Sequence, residues 1–324
     1  MENSINIVFV SDDNYIQHLG VTLTSLLENT ERRNDIVTYV IHDGISLDNE
    51  SKVKGVSEKY GGKINFIKVN SSMYKDLALT GHISQASYYK VSIPDLLSDD
   101  INKVLYIDCD MIVKGDIATL WSIDIRDYLI AATEDPNCQA RNQALGIPID
   151  HKYFNAGLML MNLTLMRKEE ISSQVFYFLR ENKEKIQYVD QDGFNAILYS
   201  DWYELPVCWN VMHYYFNNRY MEELLGGKEI EVFQEAVRNP KIIHYTASPK
   251  PWEFMSTHPL KIEYYNYLSK TGWSNYEPTG KNFANIVRKK LMQYPKISSN
   301  AKKIIPDFAI KRIKEVIKSN RGRT

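Results

Sequence analysis

KVLYIDCDMIV, residues Lys103 to Val113, is the stretch on which the reading of the chain turns. Val104 to Ile107 form a short apolar, partly β-branched run behind the polar SDDINK, the pattern of a buried strand. Asp108 and Asp110 follow at once. Successive strand side chains point to opposite faces, so carboxylates at i and i+2 leave the strand end on the same side. Two such like charges repel, and burial makes the repulsion costly unless a cation lies between them. Hard carboxylate oxygens suit a divalent ion such as Mn²⁺ or Mg²⁺. In open α/β sheets the ligand crevice lies at the carboxyl ends of strands, where this pair sits. Ordinary surface turns also carry D-x-D, so the reading asks for further ligands elsewhere in the chain.

The 324 residues, 44% hydrophobic and 24% charged, suffice for a sizeable core in one large domain or two. Twenty-two tyrosines supply polar-tipped rings that line sugar or nucleotide sites as readily as they fill a core. Cys109, Cys138 and Cys208 are odd in number and widely spaced, which fits neither a disulfide framework nor a zinc motif and points to a reducing cytosol. No segment approaches the ~18 apolar residues of a membrane span, and a signal peptide is not expected. From Lys281 to Thr324, 13 Lys and Arg face only Asp307 and Glu315, while the rest of the chain holds 26 basic against 38 acidic residues. An acidic body that handles an anionic ligand needs local positive charge, from a metal or from placed lysines. The basic tail suits an anionic surface such as the inner face of a membrane, and nucleic acid is not expected as a partner.

Ile5 to Val10 reads as a strand, and Ile16, Leu19, Leu23, Leu26 and Leu27 mark a helix from Tyr15 to Glu28, capped by Asp12, Asp13 or Asn14. This strand-loop-helix opening has no G-x-G-x-x-G and no Walker Lys, so dinucleotide and P-loop readings lose support. Asp12, Asn14 and Tyr15 sit where a base or ribose could be held. Ile36 to Ile41 and Ile64 to Val69 read as strands around a polar helix from Leu47 to Tyr60. Gln85 to Leu97 reads as a helix kinked or ended at Pro94, with His82 and Lys90 as phosphate contacts or as a solvent-facing pair. Leu129 to Thr133 is a further strand ending in Glu134-Asp135. Tyr153 to Gly157 leads into the apolar LMLMNL, and a helix from Leu165 to Glu181 follows. Asp190, Gln191 and Asp192 either cap the helical FNAILY or grip hydroxyls. Lys241 to Tyr245 is a strand carrying His244, a core residue or a ligand, ahead of Lys250-Pro251-Trp252. A boundary falls near residue 280, with a body of 1–280 and an extension of 281–324. Phe283, Val287 and Leu291, then Ala309, Ile313 and Val316 or Ile317, lie beside Lys and Arg as in basic amphipathic helices at an anionic membrane.

Taken together and in order, IVFVSDDNY, HIS, KVLYIDCDMIV, YFNAGLMLMNL, the DQD at 190–192 and HYTASPKPW resemble bacterial retaining glycosyltransferases of family 8, the group of lipo-oligosaccharide galactosyltransferases and general stress protein A. The resemblance spans most of residues 5–253. It implies an α/β GT-A fold, a Rossmann-like mixed sheet flanked by helices, that uses UDP-glucose or UDP-galactose with Mn²⁺ or Mg²⁺ and a glycan, glycolipid or glycoprotein acceptor. By the same resemblance Asp108, Asp110 and His244 are the metal ligands, and Val10, Asp12, Asn14 and Tyr15 match uridine contacts. His82 and Lys250 match groups on the diphosphate, while Asp135, Asn155, Asp190 and Gln191 match positions around the hexose and acceptor. Asp190 or Gln191 would steady the cation at the anomeric carbon. Two departures stand out: Lys90 replaces an Arg near the donor, a point charge for a planar fork, and Ala247 replaces a Gly ahead of Lys250. The alternatives are a phosphotransferase with Asp108 as nucleophile, although Met111-Ile112 lacks the expected Thr, and a catalytically silent nucleotide-sugar-binding protein.

Overall fold

Strands β1 (Ile5–Val10), β4 (Lys103–Ile107) and β7 (Phe154–Asn162) are apolar almost throughout because both of their faces are covered. The computed structural model describes residues 4–77, 85–226 and 230–293. Ile5, Ile7, Phe9, Leu105, Ile107, Leu158 and Leu160 pack on one face with Ile16, Leu19, Leu23, Leu26 and Leu27 of the helix Ile16–Asn29. Val8, Val10, Val104, Tyr106, Met159 and Met161 alternate to the opposite face and meet Tyr88, Phe194 and Leu198. The remaining strands are β2 (Ile36–His42), β3 (Lys63–Lys68), β5 (Met111–Val113), β6 (Ile130–Glu134), β8 (Trp202–Glu204), β9 (Val211–Met212) and β10 (Ile242–His244).

Seven strands form one sheet in the order β3-β2-β1-β4-β7-β6-β8. β1 pairs in parallel with both β2 and β4, and β7 runs antiparallel between β4 and β6, which makes the sheet mixed. The chain leaves β1 toward β2 on one side and returns as β4 on the other. That reversal opens a crevice at the carboxyl ends of β1 and β4. A small second sheet, β5-β10-β9, sets β10 antiparallel to β5 with His244 opposite Met111.

Several expectations are corrected. β4 stops at Ile107, so Asp108 and Asp110 lie on the turn into β5 rather than on a strand, and strand alternation does not align them. The segment from Gln85 is a 3₁₀ run to Ser92 followed by the short helix Ile93–Leu96, with Pro94 in its first turn, where a missing N–H costs nothing. The helix expected from Leu165 to Glu181 divides into Leu163–Lys168 and Ile171–Glu181, because Glu170 takes a left-handed φ of 51°. Tyr15 caps Ile16–Asn29 without a side-chain bond. Asp12 Oδ1 instead accepts from the Asn14 and Tyr15 amides, and Asp13 Oδ1 accepts from Ser46 N.

The chain divides into two compact units, one of Met1–Thr246 with Tyr265–Ser274, the other of Ala247–Tyr264 and the chain from Asn275. In the second, Trp252 packs on Tyr264 and Glu253 pairs with Thr279, and the helix Phe283–Gln293 begins the basic extension. His82 and the second amphipathic stretch near 309–317 lie outside the described residues. Among the described residues no helix is long and apolar enough to cross a membrane.

Candidate active site and metal centre

Pairing between β5 and β10 assembles the centre. Because His244 lies opposite Met111, and Tyr245 N donates to Asp110 O at 3.0 Å, the imidazole stands beside the D-x-D turn although 134 positions separate it from Asp110. His244 Nε2 is 3.2 Å from Asp110 Oδ1 and 3.8 Å from Asp108 Oδ2. One ligand atom from each of the three residues can be chosen so that all lie within 4.8 Å of one another. Two carboxylates and an imidazole form the donor set of Mn²⁺ or Mg²⁺ sites, and unneutralised they would crowd negative charge in a half-buried crevice. Gly157 leaves the space: a Cβ there would stand 2.5 Å from His244 Cε1 and 2.7 Å from Asp108 Oδ2. The residues present fit a divalent cation.

On the far side of Asp108, Tyr106 donates its hydroxyl to Oδ1 at 2.5 Å. Burial, reinforced by the Asp108 charge, raises the Tyr106 phenol well above the usual tyrosine range, so it stays a donor. Lys90 is not a solvent-facing residue. It is buried, 2.9 Å from Asp190 Oδ2, 3.4 Å from Asp108 Oδ1 and 3.3 Å from the Ala156 carbonyl, over the Tyr106 ring. Burial alone would lower the Lys90 ammonium, but Asp108 and Asp190 outweigh it and hold the pKa above the ordinary lysine value. Burial raises the Asp190 carboxyl to about 6, with Lys90 pulling the other way and Asp108 adding to the rise.

Asp190 and Gln191 enter the site from the start of the helix Val189–Leu198, where Val189 adopts an uncommon φ of 33°. Neither acts as its cap, and Asp192 is a structural group: its oxygens accept from the Gln187 and Tyr188 amides, the Tyr153 hydroxyl and Arg141. Gln191 Oε1 accepts from Ala156 N at 3.0 Å and Asn155 Nδ2 at 3.1 Å. Asn155 Oδ1 accepts from Gly157 N at 3.0 Å and Asn210 Nδ2 at 2.9 Å, and Asn210 Oδ1 lies 2.9 Å from His244 Nδ1. Asp135 Oδ1 accepts from Tyr214 at 2.7 Å, and Oδ2 lies 3.4 Å from Asn155 Nδ2.

Asp108, Asp110, Asp190, Gln191, Asn155, Asp135, Lys90 and His244 thus join in one contiguous set. Val10 ends β1, its carbonyl 3.2 Å from Cys109 Sγ, with Asp12, Asn14 and the exposed Tyr15 on the loop that follows. Lys250 lies in the second unit, its amide donating to Glu253 Oε1. Tyr106, Gly157 and Asn210 escape the sequence reading, since nothing in their local pattern marks them. Lys90 carries a signal that could have been used: a lysine inside YYKVSIP is flanked by residues that seek the core.

Residues 6–256 match the model of glycosyl transferase family 8. The chain is 38% identical over 274 residues to general stress protein A of Bacillus subtilis (strain 168), covering 83% of this chain and 95% of that protein. It is 24% identical over 279 residues to lipopolysaccharide 1,2-glucosyltransferase of Escherichia coli (strain K12), covering 85% and 80%. The fold is similar to the crystal structure of the galactosyltransferase LgtC in complex with donor and acceptor sugar analogs, with a TM-score of 0.73 and 26% identity over 83% of this chain and 96% of that one. With the family match spanning most of the chain and the GT-A sheet and D-x-D turn in place, the chain belongs to glycosyltransferase family 8.

Proposed function

We propose that the chain transfers a hexose, glucose or galactose, from UDP to a glycan, glycolipid or glycoprotein acceptor with retention at the anomeric carbon. The observation that carries this reading is the convergence of Asp108, Asp110 and His244 at the carboxyl-end crevice of a family 8 fold. These three would hold Mn²⁺ or Mg²⁺, which when bound supplies positive charge to the departing diphosphate. Val10, Asp12, Asn14 and Tyr15 are assigned to the uridine, the exposed Tyr15 ring, set edge-on to His18, being the stacking candidate. The matched motifs assign His82 and Lys250 to the diphosphate, and Asp135 and Asn155 to the hexose and acceptor.

The hydrogen bonds favour a division of labour between the two catalytic candidates. Gln191 Oε1 already accepts two bonds and the Tyr153 hydroxyl is a further side-chain partner, so the amide is held fixed and a sugar hydroxyl would meet the second hydrogen of its Nε2. Asp190 retains anionic oxygens, and its charge steadies the cation that develops at the anomeric carbon. Lys90 keeps that carboxylate oriented and so acts by positioning rather than by touching phosphate. The acceptor hydroxyl passes its proton to the leaving diphosphate. A phosphotransferase using Asp108 as nucleophile draws no support from the site, since one Asp108 oxygen is engaged by Tyr106 and Lys90 and the other faces His244. The basic residues from 281 onward fit an anionic lipid surface and argue for work in the cytoplasm at the inner face of the membrane.

Purified protein incubated with UDP-glucose and UDP-galactose, with Mn²⁺, Mg²⁺ or a chelator, tests the reading. UDP release should require metal and should fall about 100-fold or more in Asp110→Ala and His244→Ala. Failure to hydrolyse or transfer from either donor, with UDP affinity unchanged in both variants, contradicts it. Binding of UDP and metal without turnover on any acceptor would mark a binding protein instead.

A further inference from the structure

The imidazole of His244 has two nitrogens, and Nε2, which faces Asp108 and Asp110, can ligate a cation only if the ring proton sits on Nδ1. A backbone amide three side chains away decides the matter. Gly157 N–H can only donate, and it reaches Asn155 Oδ1 at 3.0 Å, which identifies that atom as the carbonyl oxygen. A second constraint agrees: Ala156 N–H identifies Gln191 Oε1 as oxygen, so the Asn155 atom 3.1 Å from it is the amino group. The Asn210 atom 2.9 Å from Asn155 Oδ1 must then be its amino Nδ2, since two carbonyl oxygens there would repel. Its other end, Oδ1, faces His244 Nδ1 at 2.9 Å and can only accept. Asn210, Asn155 and His244 are 0%, 6% and 3% exposed, so solvent offers little competing partnership. The ring therefore presents an Nε2 lone pair to two carboxylates at 3.2 and 3.8 Å, an arrangement that repels by itself and attracts once a cation sits among them.

We infer that Asn210 is a positioning residue for the metal centre: with Asn155 it carries the polarity of the Gly157 amide to His244, fixes the Nδ1–H tautomer and leaves Nε2 as the ligand. A ligating histidine ordinarily donates its second nitrogen to a carboxylate or carbonyl, and here an amide oriented from the sheet backbone fills that place. Asn155 also bonds Gln191, so the same relay ties the cation ligand to the hexose side of the site. The inference rests on the metal reading proposed above.

The test uses the metal-free full chain. Long-range ¹H–¹⁵N correlation of the imidazoles, with His244→Gln identifying the resonance, is expected to show wild-type His244 protonated on Nδ1 alone at mildly alkaline pH. Asn210→Ala is expected to shift the ring toward the Nε2–H form and to weaken Mn²⁺ binding, read by electron paramagnetic resonance of the free ion, by about 10–100-fold. Asn210→Asp still offers an acceptor to Nδ1 and should return the Nδ1–H form, while its second oxygen now opposes Asn155 Oδ1, so its Mn²⁺ affinity should fall between those of Asn210→Ala and wild type. A wild-type ring carrying a proton on Nε2 overturns the relay, as does an Asn210→Ala protein that keeps the Nδ1–H form and its Mn²⁺ affinity. A wild type with the Nδ1–H form that binds no Mn²⁺ overturns the metal reading while supporting the relay, so the two failures are told apart.

Discussion

At position 157 one added carbon closes the site, because it would press on both His244 and Asp108. Gly157→Ala should destabilise the protein by about 1–3 kcal/mol through overpacking and, by displacing the ligands, lower UDP release about 100-fold. Urea titration and a turnover assay check the two effects, and an active Gly157→Ala protein contradicts the geometry. Asp190 makes a prediction of its own. Its folded carboxyl is raised to about 6 by burial, so below that value the native state binds a proton that the unfolded chain gives up. The stability it contributes is fully present below the ordinary carboxylate range and is lost as pH rises through about 6. In metal-free protein Asp190→Asn should flatten that segment of the urea midpoint against pH; an unchanged profile contradicts the shift. At this scale the metal ligands are legible in the sequence because few residue types can do their chemistry. Asn210 is not, since an asparagine gains its role only from the amide 55 positions away that it meets in the fold.

Strands and helices carry the second layer of the account. Inner strands of the large sheet such as β1 and β4 are readable because burial on two faces demands unbroken apolar runs, whereas the exposed edge strand β8 goes unread. The placement of His244 is not readable, since it follows from the pairing of β5 with β10, two strands of three residues each that lie far apart in the sequence. No periodicity encodes that partnership. The break after Lys168 is equally hidden, because apolar spacing continues across it while Glu170 turns left-handed. Glu170 is exposed and a non-glycine residue pays for that conformation, so Glu170→Gly should raise stability by roughly 0.5–1 kcal/mol. An unfolding midpoint that falls would mean the side chain contributes more than its backbone strain costs.

At the scale of the whole molecule the sequence divides its charge unevenly between an acidic body and a basic extension. Nine of the 13 Lys and Arg of the extension lie beyond residue 293, so the full chain should sediment with anionic vesicles and not with neutral ones. Deleting 294–324 should weaken that binding by more than about tenfold while leaving UDP release to a soluble acceptor intact. Vesicle binding unchanged by the deletion contradicts the assignment of the tail. Composition makes this asymmetry plain, whereas no count of residues reveals which acceptor the crevice receives. The central claim is that three side chains hold the cation through which the nucleotide is bound, and calorimetric titration of UDP with and without Mn²⁺ tests it most directly. The account predicts that wild-type protein binds UDP at least about tenfold more tightly with Mn²⁺ and that His244→Ala loses this difference. Equal UDP affinity in Mn²⁺ and in chelator, for wild type and variant alike, would contradict it.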